Sequence, residues 1–187
     1  MPKMRPYEPG RDLSSPNRNL SPLTAHLDEK DRLIVGGCLI SELADKYGTP
    51  LYLIDELTLR KACSSYKDAL TKYYEGESLP LYASKANSSL AISSLIHSEG
   101  FGLDAVSEGE LLTALKAGLP GNKIVLHGNN KSRKELLLAY ENNVTIVIDN
   151  KQDILQLEDL IGPNQKSVNM ILRFTPGIEC HTHEYIR

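Results

Sequence analysis

From Glu56 onward the chain alternates between two rhythms of apolar and polar positions. Leu59, Ala62 with Cys63, Tyr66, Ala69 with Leu70, and Tyr73 recur every three or four residues, the apolar stripe of an amphipathic helix. Short apolar runs then follow: LPLYAS (79–84), FGLDAV (101–106), KIVLHG (123–128), TIVID (145–149) and NMILRF (169–174). Each predicts a strand, and the stretches 89–99, 107–117, 132–142 and 151–161 between them predict helices. The strand centres Tyr82, Leu103, Val125, Val147 and Ile171 lie 21, 22, 22 and 24 residues apart, the length of one strand, one helix and two short loops. Helix starts keep the same register. Ser107 with Glu110 and Ser132 with Glu135 have capping-box spacing, and Asn150 with Asp153 is a weaker version. Gly118 and the pair Gly162-Pro163 stand where helix stops belong.

Strand–helix alternation at this period means parallel strands joined by crossover helices, an α/β fold. Two architectures meet that pattern, an open doubly wound sheet and a β/α barrel. A dinucleotide-binding open sheet would carry GxGxxG after its first strand. The turn after Tyr82 reads Ala-Ser-Lys-Ala-Asn-Ser-Ser instead, so that version loses ground. A barrel has eight strands in about 250 residues. The 187 residues offer five and stop just after the last, so the expectation is a partial barrel over 56–187. Before it, residues 1–22 are rich in Pro, Ser, Asn and Arg without periodicity and read as a flexible leader. Residues 33–40 read as a strand interrupted by Gly36-Gly37, 41–47 as a short helix ended by Gly48-Thr49-Pro50, and PLYLID (50–55) as a second strand.

Composition narrows the function. A net charge of −3 lacks the basic stripe of a nucleic-acid binder. Charged residues at 24% and hydrophobic residues at 41% exclude wholesale disorder. The longest apolar stretch, 33–40, falls far short of the ~20 residues of a membrane span. MPKMRPYEPGRD lacks the apolar centre of a secretory signal. Three scattered cysteines, Cys38, Cys63 and Cys180, make no disulfide framework, and together these features point to the cytoplasm.

Lys85 is the residue on which the chemistry turns. It ends the first repeating strand, where barrel enzymes place their sites. A lysine becomes a covalent nucleophile when its surroundings leave the amine neutral. From position alone a solvated loop lysine is the commoner reading; the surrounding residues reverse it. YASKAN (82–87) resembles the lysine motif of the pyridoxal-phosphate decarboxylases with an alanine-racemase-like barrel. GLDAVSEGEL (102–111), LHGNNKS (126–132), TIVIDN (145–150) and ILRFTPGIECHTHEYI (171–186) match that family in order. HGNNKS and PGIECHTHEYI are similar to its diaminopimelate decarboxylase branch and unlike ornithine decarboxylase. The resemblance runs from about Leu23 to Arg187.

The resemblance implies a partial barrel that binds pyridoxal 5'-phosphate, with strands one to five present. It also implies that 23–55 belongs partly to a second, β-rich domain. Lys85 would bond the cofactor covalently. Asp104 matches an acidic position near the cofactor, or is a turn aspartate. His127 would line the pocket, or hydrogen-bond across the rim. Arg173 would join the hydrogen bonds around the cofactor, or make a surface ion pair. Glu110 also matches an acidic family position, but its capping role explains it adequately. Cys180, His181, His183 and Glu184 have metal-binding chemistry, yet the two histidines alternate sides if extended, so no metal is expected. Lys131-Ser132-Arg133-Lys134 reads as a solvated helix start.

The implied reaction converts meso-diaminopimelate, at its D-configured centre, to L-lysine and carbon dioxide. Much of the family's machinery lies further along its members, and three more strand–helix units would need about 66 residues. These 187 residues alone are therefore expected to be inactive, with a homodimer or a complementing chain completing the site. The alternatives are a non-catalytic pyridoxal-phosphate or interaction module, and a decarboxylase of the same fold for another amino acid.

Overall fold

The structure, a computed structural model, describes residues 20–162 and 167–177. Most of the expected leader, 1–19, lies outside the described residues. The chain divides into two compact units between Gly76 and Glu77.

In the first unit β1 (His26–Leu27), β2 (Leu33–Val35) and β3 (Cys38–Leu39) form an antiparallel sheet in that order. The glycine pair does not interrupt one strand, as the sequence suggests, but turns the chain between two. Val35 faces Cys38 across a two-residue loop in which Gly36 and Gly37 have φ of +59° and +77°. A type I′ hairpin turn requires positive φ at both positions, which glycine adopts without steric cost. The loop before it is organised by Asp28, whose carboxylate accepts the Lys30 and Arg32 amides, each at 2.9 Å, and the Arg32 Nε at 2.7 Å. Helix α1 (Ile40–Tyr47) follows directly, and α2 (Glu56–Tyr73) starts at Asp55, whose side chain accepts the Thr58 amide. The strand expected over 50–55 is absent. Residues 51–55 join no ladder, and Tyr52 is 96% exposed. An apolar run becomes a strand only against a neighbouring edge, and none of the described residues supplies one.

In the second unit β4 (Leu81–Ala83), β5 (Gly102–Ala105), β6 (Ile124–Leu126), β7 (Thr145–Ile148) and β8 (Met170–Leu172) form one parallel sheet in chain order. Helices α3 (Leu90–Ser98), α4 (Glu108–Lys116), α5 (Arg133–Glu141) and α6 (Lys151–Ile161) fill the connections. A doubly wound sheet reverses its strand order at a switch point. Here every step goes to the next neighbour in one direction, which decides for an arc of a β/α barrel.

Alternation along the strands sorts their side chains. Leu103 and Ala105, Ile124 and Leu126, and Ile146 and Ile148 point to the helices. They pack with Leu111 and Ala114 of α4, Leu136 and Ala139 of α5, and Leu157 of α6. The intervening positions Asp104, Val125 and Val147 take the other face. The centre of the sheet is buried, whereas β4 and β8 are partly or wholly exposed.

The helix caps refine the expected register. Ser132 and Glu135 form a complete capping box. The Glu135 carboxylate also accepts the Glu108 amide at 3.0 Å, joining the starts of α4 and α5. Burial pushes this carboxyl's pKa up, but bonds from Ser132 and Glu108 and the nearby Lys131 charge outweigh burial and leave it lowered. Ser107 accepts the Glu110 amide, but Glu110 returns its carboxylate to the Val106 amide at 2.7 Å, so this box closes one residue early.

Gly121 fills a point of contact that tolerates no side chain. A Cβ there would stand 1.7 Å from the Asn142 carbonyl oxygen, in the turn between α5 and β7. Gly121→Ala is expected to displace that turn at about 1–3 kcal/mol. For a unit this size the thermal midpoint followed by circular dichroism should fall by roughly 10 °C.

Candidate functional site

The YASKAN segment closes on itself at the carboxyl end of β4. The Tyr82 hydroxyl donates to the Asn87 carbonyl at 3.2 Å, and Ser84 to Ala86 form a single 3-10 turn. Ser84 is buried and donates its hydroxyl to the Asp104 carbonyl at 2.8 Å, fastening the turn to β5. The next residue, Lys85, is exposed at the rim.

Asp104 pairs with Ala83 on one side and Val125 on the other, on the sheet face away from the helices. His127 follows β6, and its amide donates to the Ala105 carbonyl at 2.8 Å. The imidazole Nε2 lies 3.5 Å from Asp104 Oδ1. That oxygen is buried, and no hydrogen bond reaches it among the described residues. Burial raises the Asp104 pKa; the charges of His127 and Lys85 pull it down and Glu110 pushes it up, with a raised value as the outcome. A carboxyl raised in the folded state opposes folding once ionised, from its folded pKa upward, and costs nothing below its ordinary value of 3.8. Asp104→Asn is therefore expected to raise the thermal midpoint at pH 7, with the gain gone below pH 3.8. Equal midpoint differences at both pH values would contradict this.

The structure thus brings Lys85, Asp104 and His127 together on three adjacent strands. Arg173 stands two strands further along the same sheet. It follows β8, its amide donates to the Ile148 carbonyl at 3.0 Å, and its half-exposed guanidinium meets Asp149 Oδ1 at 3.0 Å. Cys180, His181, His183 and Glu184 lie outside the described residues. Among the described residues no helix is long and apolar enough to cross a membrane.

The expected solvated helix start at 131–134 needs correction at its first residue. The Lys131 side chain is 2% exposed, as is that of Asp153, and their charged ends meet at 2.7 Å. Lys131 Nζ also donates to the Gly128 carbonyl at 2.6 Å, and Asp153 Oδ2 also accepts the Asp149 amide at 3.1 Å. Nothing local in the sequence announces this pair. Its signal is the period itself: the partners stand 22 residues apart, one repeat, which sets them at the starts of α5 and α6 on the same rim.

Comparison with known proteins agrees with this geometry. The family described as "Pyridoxal-dependent decarboxylase, pyridoxal binding domain" matches residues 57–187. Diaminopimelate decarboxylase of Synechocystis sp. is 44% identical over 181 residues, covering 92% of this chain and 39% of that protein. The Bacillus subtilis enzyme of the same name is 45% identical over 164 residues, covering 87% and 37%. The diaminopimelate decarboxylase structure from M. jannaschii superposes with a TM-score of 0.78 at 31% identity, covering 87% of this chain and 38% of that one. The Helicobacter pylori enzyme complexed with L-lysine gives 0.69 at 33%, covering 78% and 36%. The chain spans less than two fifths of the length of these relatives. A match over most of the chain, carried by the strands that present Lys85, Asp104 and His127, means that it belongs to the pyridoxal-dependent decarboxylases, with residues 57–187 matching their pyridoxal-binding domain.

Proposed function

We propose that this chain is the pyridoxal-phosphate-binding part of a decarboxylase that converts meso-diaminopimelate to L-lysine and carbon dioxide. The observation that carries the reading is the convergence of Lys85, Asp104 and His127 at the carboxyl ends of neighbouring strands. The unsatisfied Asp104 Oδ1 fits a bound group with a hydrogen-bond donor, since a buried acceptor left alone costs about 1–3 kcal/mol. Pyridoxal phosphate, when bound, supplies an electron-accepting ring that takes up the electron pair of the broken Cα–carboxylate bond.

The protein's own residues would act around that group. Lys85 is exposed at the rim and would hold the aldehyde through Nζ, the atom at which it also takes and returns a proton. Asp104 would accept a donor from the cofactor, with His127 orienting its carboxylate. Arg173, held by Asp149, would extend the hydrogen bonding from the β8 side. Glu110 stays with the backbone amide that its carboxylate caps.

HGNNKS, the curated relatives and the L-lysine complexed to the Helicobacter pylori enzyme support diaminopimelate as the substrate. Because the chain spans 39% or less of those relatives, we assign the complete reaction to a longer polypeptide or a dimer in the cytoplasm. The test is lysine formation from meso-diaminopimelate by the native protein that contains this chain. Carbon dioxide released from another amino acid instead would move it to a sister activity. Cofactor binding without turnover of any amino acid would make it a carrier. Lysine formed by the isolated 187 residues would overturn the need for a larger assembly.

A further inference from the structure

Among the described residues of the second unit the most deeply buried charges, Lys131 and Asp153, have no part in the site as described. Each holds one backbone group besides its partner. Lys131 Nζ takes the Gly128 carbonyl, one residue after His127, and Asp153 Oδ2 takes the amide of Asp149, whose carboxylate binds Arg173. A second contact crosses the same gap, from Asn150 Nδ2 to the Asn129 carbonyl at 3.1 Å. The loops after β6 and β7 are thus tied together at the rim that presents Asp104.

Stability alone does not account for such a pair. Removing two charges from water costs about what their attraction returns, and well-packed apolar residues of similar volume often serve as well. Apolar residues cannot hold the Gly128 carbonyl and the Asp149 amide by directed bonds. We propose that Lys131 and Asp153 are positioning residues: their ion pair fixes where His127 and the Asp149–Arg173 contact stand relative to Asp104. The proposal rests on reading this rim as the pyridoxal-phosphate site.

The decisive variant, made in the native protein that contains this chain, is the double exchange Lys131→Met with Asp153→Leu, which leaves no charge stranded. Its urea midpoint should return close to that of the unaltered protein. The nuclear magnetic resonance signals of the His127 ring and the Arg173 guanidinium should nonetheless remain shifted. The apparent Kd for pyridoxal phosphate at Lys85 should rise about tenfold or more, the scale on which displacements of an ångström or less are felt. A double variant that regains stability with unmoved signals and unchanged affinity overturns the proposal. So does one that fails to fold, because the pair is then a folding requirement. If the unaltered native protein forms no adduct at Lys85, the cofactor reading falls, while the two side-chain signals still decide the positioning role.

Discussion

Replacing Lys85 by alanine is expected to abolish the covalent pyridoxal-phosphate adduct while leaving the unfolding free energy within about 0.5 kcal/mol, as for most surface substitutions. The side chain is exposed, and the turn that carries it is held by Ser84 rather than by Lys85. After borohydride reduction, the labelled peptide of the unaltered chain should contain residues 82–87, and no equivalent peptide should come from the variant. Lys131 cannot substitute, since its amine is buried in an ion pair. Lys85→Arg separates two roles of the lysine. It keeps a cation beside Asp104, but a guanidinium does not deprotonate to become a nucleophile, so the adduct should be lost with it as well. In the longer protein either exchange should lower decarboxylation by at least about 10²-fold, the lower bound for losing a positioned proton-transfer group. An undiminished adduct in Lys85→Ala would remove the basis of the site assignment.

Lys131→Met alone is expected to cost about 3–5 kcal/mol, because it leaves the Asp153 carboxylate buried without its cation. With a urea dependence of about 1–3 kcal/mol/M, the unfolding midpoint should fall by roughly 2 M. The contrast is three residues away. Lys134 meets Glu108 at the same 2.7 Å, but its side chain is 76% exposed, and solvent screens the attraction. Lys134→Met should change stability by no more than about 1 kcal/mol. Equal losses for the two lysines would mean that burial does not set the strength of these pairs.

The period of the apolar runs makes the second unit legible in the sequence. Five strands and four helices fall within two or three residues of their expected limits. That success has a local cause: each repeat packs mainly on its neighbours in sequence, so strand length, cap and helix stripe agree with the final fold. Legibility failed where the outcome depended on a distant surface. Residues 50–55 hold a strand-like apolar run but no edge to pair with, and the glycine pair at 36–37 reads as an interruption until Val35 is seen facing Cys38. At the site, Lys85, Asp104 and His127 are proposed through the resemblance of their segments to the decarboxylase family, which position alone does not supply. Arg173 lies at the expected strand end, but sequence could not tell that Asp149 holds it. The burial of Lys131 is not legible in sequence because a lysine before a helix cap is ordinarily hydrated, and only the first turn of the next helix supplies its counter-ion.

The gradient of burial across the five strands bears on how the reactive amine is reached. Amide hydrogen exchange should be slowest in β6, buried along its whole length, and fastest in the two outer strands. Lys85 stands exposed at the rim, so an incoming aldehyde can meet its amine without any opening of that slow-exchanging interior.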